Sequence, residues 1–339
     1  MKKNISLLLV MAIMLSFAAC GQPSSTNPPI ADVSGWSPIT VTDQAGREVT
    51  INQEPQRIIT AYYITSSLLI ALDLDDRIVG IENNPEKRAI YGLSAPELLE
   101  LPQIGTAKEL DVEAVMALDP DLLILPMKLK NTVPTLEELG LTVLIVDPED
   151  QERVNGMIRL VGEATGKSEP AEKLLSWISS QQEFLGEELT DIQLPTVYLA
   201  GNSSMLKTAG DAMYQADMIR LAGGTNVASA IEDTYWAEID YEQLLAWDPD
   251  YIILAAEATY TVEDVLADPN LADCKAVTGG NVYRLPNRAE AWDSPVPGSI
   301  LGAVWLANIL HPDKISDAEC TTRMNEFYDA FYHFTYIEN

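Results

Sequence analysis

The chain has 339 residues, 47% of them hydrophobic and 21% charged, which is enough apolar material for two packed cores and too long for one. Its 21 basic and 51 acidic residues give a formal net charge of −30. A surface of that sign repels phosphate backbones and anionic lipid headgroups, so nucleic-acid binding is excluded and any membrane attachment needs another source.

The N-terminus offers such a source. Lys2 and Lys3 precede an uncharged, mostly apolar stretch from Ile5 to Ala19. That stretch is shorter than the about 20 residues a membrane-spanning helix needs, and it suits a signal-peptide core. Ala18 and Ala19 then lead into Cys20, which resembles the bacterial lipobox, with Phe17 standing where Leu is usual. Residues 1–19 are expected to be a signal peptide and Cys20 the lipidation site, each buried acyl methylene adding about 0.8 kcal/mol of anchorage. Residues 20–38, rich in Pro, Ser, Gly and Asn, read as a flexible tether. Cleavage leaves 19 basic against 51 acidic residues, a net charge of −32. Cys274 and Cys320 could form one disulfide outside the cytosol, although nothing requires it, and neither has a second ligand at metal-site spacing.

The body opens on a hairpin, with Ile39–Thr42 and Val49–Ile51 alternating in polarity around DQAGRE. Short β-rich runs then alternate with helical segments: RIITA, TSSLLIAL, RIVGI, a helix over Asp111–Leu118, DLLIL, a helix over Val133–Leu139 and TVLIV. This order predicts an α/β fold with a parallel sheet covered by helices. Asp150–Glu163 is amphipathic, and Ser168 is placed to cap a long helix over Glu169–Glu188. After Pro195 the alternation restarts with TVYLA, helices over Ala212–Leu221 and Tyr241–Trp247, the strands YIILA and NVYRL, and closing helices over Ile300–Leu310 and Asp317–Phe331. The expected organisation is an N-terminal α/β lobe over 39–166, an interdomain helix over 167–190 and a C-terminal α/β lobe over 191–339.

An internal echo supports two related lobes. LDVEAVMALDPDLLIL (110–125) and IDYEQLLAWDPDYIIL (239–254) align without a gap. In each, an Asp caps a helix, a Glu sits in its first turn where the dipole favours negative charge, and Asp-Pro-Asp turns the chain into a buried strand.

These elements, with the hairpin TVTDQAGREVTI, IRLVGEATGK and LKTAGDAMYQADMIRLAGGTNVA, resemble the iron-complex and cobalamin class of periplasmic binding proteins from about residue 39 to the end. The resemblance implies two Rossmann-like lobes joined by a single long helix, with a ligand cleft between them. It also implies a monomeric receptor outside the cytoplasm that serves an ABC permease and its ATPase. One glutamate per lobe docks the permease in that family, and the motif positions fall on Glu113 and Glu242.

In open α/β sheets, ligands sit beyond the carboxyl ends of the strands. Those ends select Tyr62 and Tyr63; Lys128 and Lys130; Lys207; and Arg288 and Trp292. Tyr235 and Trp236 could fold over the same opening. Concentrated lysines and arginines in an acidic protein would select an anion, and interleaved aromatic rings would add flat apolar area. The combination suits an anionic metal chelate, above all a ferric siderophore. Molybdate or tungstate would use the same basic groups; haem would need Tyr62 or Tyr63 as axial ligand; a corrinoid would rely on aromatic walls and few charges. Bare zinc or manganese is disfavoured, since His311 and His333 are the only histidines. No nucleophile elbow, phosphate loop or zinc-hydrolase motif is present, so the chain is expected to be a binding protein without a cofactor rather than an enzyme. A sensor lipoprotein that works without a transporter is the remote alternative.

Overall fold

A computed structural model of the chain describes residues 36–232 and 236–336. The expected leader, Cys20, nearly all of the tether, and Tyr235 lie outside them.

Strands β1 (Ile39–Thr42) and β2 (Glu48–Ile51) pair antiparallel. Asp43 organises the turn between them. Its buried carboxylate accepts the backbone N–H of Ala45 at 3.0 Å, of Arg47 at 2.9 Å and of Ile145 at 3.1 Å, and pairs with the Arg47 guanidinium at 3.1 Å. A local turn residue thereby ties the hairpin to a strand about a hundred residues away in the chain, as the Asp43–Ile145 separation of 102 records.

The chain then alternates through β3 (Ile58–Thr60), α1 (Tyr63–Ala71), β4 (Ile78–Gly80), α2 (Ala89–Ser94), the short pair β5 (Gly105–Thr106) and β6 (Glu109–Leu110), α3 (Val112–Ala117), β7 (Leu122–Pro126), α4 (Val133–Glu138) and β8 (Val143–Val146). Four of the strands form a parallel sheet in the order β4-β3-β7-β8. Every residue of β7 and β8 is buried, as both faces of the sheet are covered. Helix α1 starts two residues earlier than TSSLLIAL suggests. The Tyr62 carbonyl accepts the N–H groups of Thr65 and Ser66 and the Thr65 hydroxyl, and so draws Tyr63 into the first turn.

Two helices follow, α5 (Gln151–Ala164) and the 21-residue α6 (Ser168–Glu188). At 1.5 Å per residue α6 is about 30 Å long. It buries Ala171, Leu174, Leu175, Ile178 and Leu185, and packs on α5. The expected Ser168 cap is not made. Ser168 is already helical, Lys167 takes the cap position without a side-chain bond, and its N–H instead reaches the Gly162 carbonyl.

The second series comprises β9 (Thr196–Ala200), β10 (Lys207–Ala209), α7 (Tyr214–Leu221), β11 (Thr225–Asn226), β12 (Trp236–Glu238), α8 (Tyr241–Trp247), β13 (Tyr251–Leu254), α9 (Val262–Leu266), α10 (Lys275–Thr278), β14 (Val282–Arg284), α11 (Ile300–Leu310) and α12 (Asp317–Tyr332). Strands β9, β13 and β14 are parallel, while β10 and β12 add an antiparallel edge in the order β12-β10-β9-β13-β14. That edge was not expected from the sequence.

The internal echo extends to three dimensions. Asp111 and Asp240 each accept the N–H three residues on, capping α3 and α8. Asp119 and Asp248 both take left-handed backbone angles, φ 45° and 44°. Asp121 then receives the N–H groups of Gln56 and Arg57 just before β3, while Asp250 receives the N–H and hydroxyl of Thr196 at the start of β9. In each half, the second Asp of Asp-Pro-Asp secures the entry of the neighbouring parallel strand.

Cys274 and Cys320 are both buried and do not bond to each other: Cys274 belongs to the core around Tyr198 and β13, Cys320 to α12.

Candidate ligand-binding cleft

The carboxyl ends of β3, β7 and β8 converge on a cavity of about 260 Å³. Tyr62, Lys128 and Lys130 line it, together with Asp147 and Glu149 from the loop after β8. A short 3₁₀ segment after Pro126 carries both lysines outward, since Leu129 between them is buried and anchors the turn. Neither lysine forms an ion pair with a described residue. Burial pushes the Asp147 and Glu149 carboxyls above their ordinary range, against the pull of Lys128 and of Arg153, which pairs with Asp147 at 2.6 Å. Burial raises the Tyr62 phenol as well, with Tyr63, Glu149 and Asp147 adding to the effect, so it stays neutral and able to donate.

Tyr63 faces elsewhere. Its ring meets Tyr62 edge-on at 5.8 Å, and because one residue is extended and the next helical, the two side chains line different cavities. The second cavity, about 70 Å³, is shared by the two halves of the chain: Tyr63, Ser67, Lys87 and Arg88 come from the first, Glu257, Asn287 and Glu290 from the second. Arg88 Nη1 donates to Glu257 Oε1 at 2.8 Å across it.

The remaining expected residues separate. Trp236 lies on β12 opposite Ala209, is 36% exposed, and lays its ring over Gly201 at the end of β9. A Cβ at Gly201 would come within 2.9 Å of that ring, so the glycine is what lets the tryptophan lie flat there. Lys207 sits directly opposite Glu238 on the antiparallel edge and pairs with it at 3.3 Å. Arg288 is exposed after β14, its guanidinium 5.9 Å from the Tyr336 ring centre.

Trp292 is not a cleft wall. It is 1% exposed, its indole N–H donates to the Tyr328 hydroxyl at 2.9 Å, and its ring packs on Tyr336. The loop after β14 dives into the core at Ala289, carrying Glu290, Trp292 and Asp293 inside. His311 bonds the Gly223 carbonyl and His333 meets Asp73, and neither lines either of the two cavities.

Glu113 and Glu242 are exposed in the first turns of α3 and α8, at matching positions of the echoed units. Sequence reasoning missed Lys87, Arg88, Asp147, Glu149 and Glu257. The strand-end rule would have reached all of them, had it been applied to β4, β8 and β13 as it was to the other strands.

Comparison with known proteins agrees with this architecture. The family model described as periplasmic binding protein matches residues 58–289. A molybdate-binding protein of Haemophilus influenzae is 26% identical over 323 residues, covering 87% of this chain and 91% of its own. Its structure with molybdate bound superposes with a TM-score of 0.79 at 24% identity, over 88% of this chain and 99% of that one. An ABC transporter substrate-binding lipoprotein of Bacillus subtilis, itself uncharacterized, is 26% identical over 266 residues, 75% of this chain and 81% of that one. A cobalamin-binding protein of Halobacterium salinarum is 23% identical over 325 residues, 91% of this chain and 85% of its own.

Proposed function

The chain belongs to the periplasmic binding protein family, matched over residues 58–289, and on that premise we propose that it is the lipid-anchored receptor of an ABC importer that captures a metal-bearing anion. Family membership makes it an extracytoplasmic substrate-binding protein rather than an enzyme. Anchorage through Cys20, the anionic ligand and the docking residues are the finer parts of the proposal.

One observation carries the ligand class. Lys128 and Lys130 converge with the neutral phenol of Tyr62 on one cavity and have no ion-pair partner among the described residues. In a chain with 51 acidic residues, lysines left without a carboxylate are available to a ligand. Charge-assisted hydrogen bonds from them would contribute about 1.5–3 kcal/mol each. Of the carboxylates on the same wall, Asp147 is already paired with Arg153 at 2.6 Å, which offsets its opposition to an anion.

An oxyanion of the molybdate kind fits this reading, and the Haemophilus influenzae relative, named for molybdate, supports it. A ferric siderophore is the second reading, supported by the aromatic surface of Tyr62 in the same cavity as the lysines. A corrinoid would make little use of the lysines. Delivery would use Glu113 and Glu242, one on each echoed helix, against basic groups of the permease.

The ligand is tested by tryptophan-fluorescence titration with molybdate, tungstate, a ferric siderophore, haem and cobalamin. Binding of molybdate or the ferric chelate, weakened in Lys128→Ala and Lys130→Ala, supports the reading. Binding of cobalamin alone, indifferent to both substitutions, contradicts it. Delivery is tested by uptake with the cognate permease. Glu113→Arg with Glu242→Arg should abolish uptake while ligand binding survives, and persistent uptake would remove the docking assignment.

A further inference from the structure

Arg88 lines the 70 Å³ cavity and gives one of its donors to a single carboxylate oxygen. It reaches over from the segment before α2 to Glu257, which follows β13 in the other half, and the two side chains are 27% and 43% exposed. A single bond holds them, Nη1 to Oε1 at 2.8 Å. Meanwhile the guanidinium plane lies 3.9 Å from the ring centre of Tyr63, which fixes it from below. Tyr63 itself is a neutral phenol, its ionisation pushed up by burial, so the stack is one of cation on uncharged ring. A guanidinium carries five N–H donors in a fixed fork that suits two oxygens of one anion, yet here it meets one oxygen of one carboxylate.

We propose that Arg88 is a ligand-capturing residue whose seat is occupied by the Glu257 carboxylate until an anion displaces it. The inference rests on the anionic-ligand reading above and extends it to the neighbouring cavity, reached from that of Lys128 and Lys130 across the Tyr62 and Tyr63 rings, whose centres are 5.8 Å apart. It adds a capture group from the first half and a competing group from the second. Glu257 acts as an internal stand-in for the ligand's oxygens. A partly exposed, singly bonded ion pair contributes only about 0–1 kcal/mol, so it is weak enough to be exchanged. The Tyr63 stack keeps the guanidinium in place once Glu257 leaves, which lowers the ordering cost of binding the newcomer. Lys87 lines the same cavity and adds positive charge beside it. Since Arg88 and Glu257 belong to different halves, the exchange also removes one contact between them, so ligand occupancy is linked to how the halves are held.

The test is a double-substitution cycle read by calorimetry, with sodium molybdate, sodium tungstate and a ferric tris-catecholate as probes. Glu257→Gln removes the competitor and should tighten binding by about two- to fivefold. Arg88→Gln should weaken it by tenfold or more, in line with the loss of a charge-assisted bond. In the Arg88→Gln background, Glu257→Gln should give no gain. Thermal melts establish that each variant is folded, and Arg88→Lys, which keeps charge but loses the fork and the stack, should fall between. A gain from Glu257→Gln that persists without Arg88 would reflect only the general field of a removed negative charge and would overturn the proposal. So would wild-type binding that ignores both substitutions. If no probe binds either wild type or Glu257→Gln, the anionic-ligand reading fails, and the proposal with it.

Discussion

Ser67, on α1 of the first half, donates its hydroxyl to Oε1 of Glu290, on the loop after β14 of the second. The Glu290 side chain is buried, 6% exposed, at the edge of the second cavity. Tyr328 and Tyr332 of α12 approach its oxygens at 3.2 Å and 3.4 Å, and Ser67 bonds Tyr332 at 2.8 Å. Gly298 leaves room for it, since a Cβ there would lie 2.8 Å from Oε2. One buried acid thus joins the two halves through hydroxyl groups, with no cation bonded to it among the described residues.

That environment makes stability depend on pH in an unusual direction. Burial, the dominant cause, raises Glu290 from 4.5 to about 7, with the three hydroxyl bonds opposing. Burial likewise raises Asp293 from 3.8 to about 6. Between the unfolded and folded values the folded state holds more protons, so stability is full below the unfolded value and falls as pH rises toward 7. Lowering pH from 8 to 6 should add roughly 1 kcal/mol from Glu290, a rise of about 2 °C in Tm. Glu290→Gln should melt higher than wild type at pH 8 and lose most of this slope. Calorimetric melts across pH 6–8 check it, and an unchanged slope in the variant would remove Glu290 as the cause.

Asp43 should be among the most sensitive residues outside the cleft. Its carboxylate satisfies three backbone N–H groups, including that of Ile145 inside β8. Asp43→Ala leaves a buried strand N–H without its partner and frees the hairpin, at a cost of about 2–4 kcal/mol. Urea denaturation should show a lower midpoint at unchanged slope.

Trp292 separates packing from binding. Trp292→Phe should cost about 1–2 kcal/mol through the lost bond to Tyr328 and the space left, and Trp292→Ala about 3–5 kcal/mol. Neither should change the affinity of the folded protein for its anion by more than about twofold, because the indole is enclosed between Tyr328 and Tyr336. A tenfold loss in Trp292→Phe would return the residue to the cleft.

The legible parts of the molecule were those with a repeated local cause. Asp-Pro-Asp with its capping Asp and first-turn Glu imposes the same backbone twice, so both echoed units were readable before any contact was known. Apolar runs such as DLLIL and YIIL announced buried parallel strands. The antiparallel edge was not readable, because KTA and WAE are three residues long, too short to show an alternating pattern of their own. Trp292 misled for a related reason: nothing local shows that the chain turns inward at Ala289 to bury Glu290. Arg88 and Glu257 are 169 residues apart, and only the packing of two halves makes them neighbours.

The most direct test of the central claim is calorimetric titration of molybdate and of a ferric siderophore into wild type, Lys128→Ala/Lys130→Ala, and Lys275→Ala. Lys275 pairs with Asp250 away from the cleft and serves as a control for the loss of one positive charge elsewhere on the protein. Two lost charge-assisted contacts should weaken binding of at least one of these anions by roughly 100-fold in the double variant, with the control unchanged. Equal affinity in all three proteins would contradict the account.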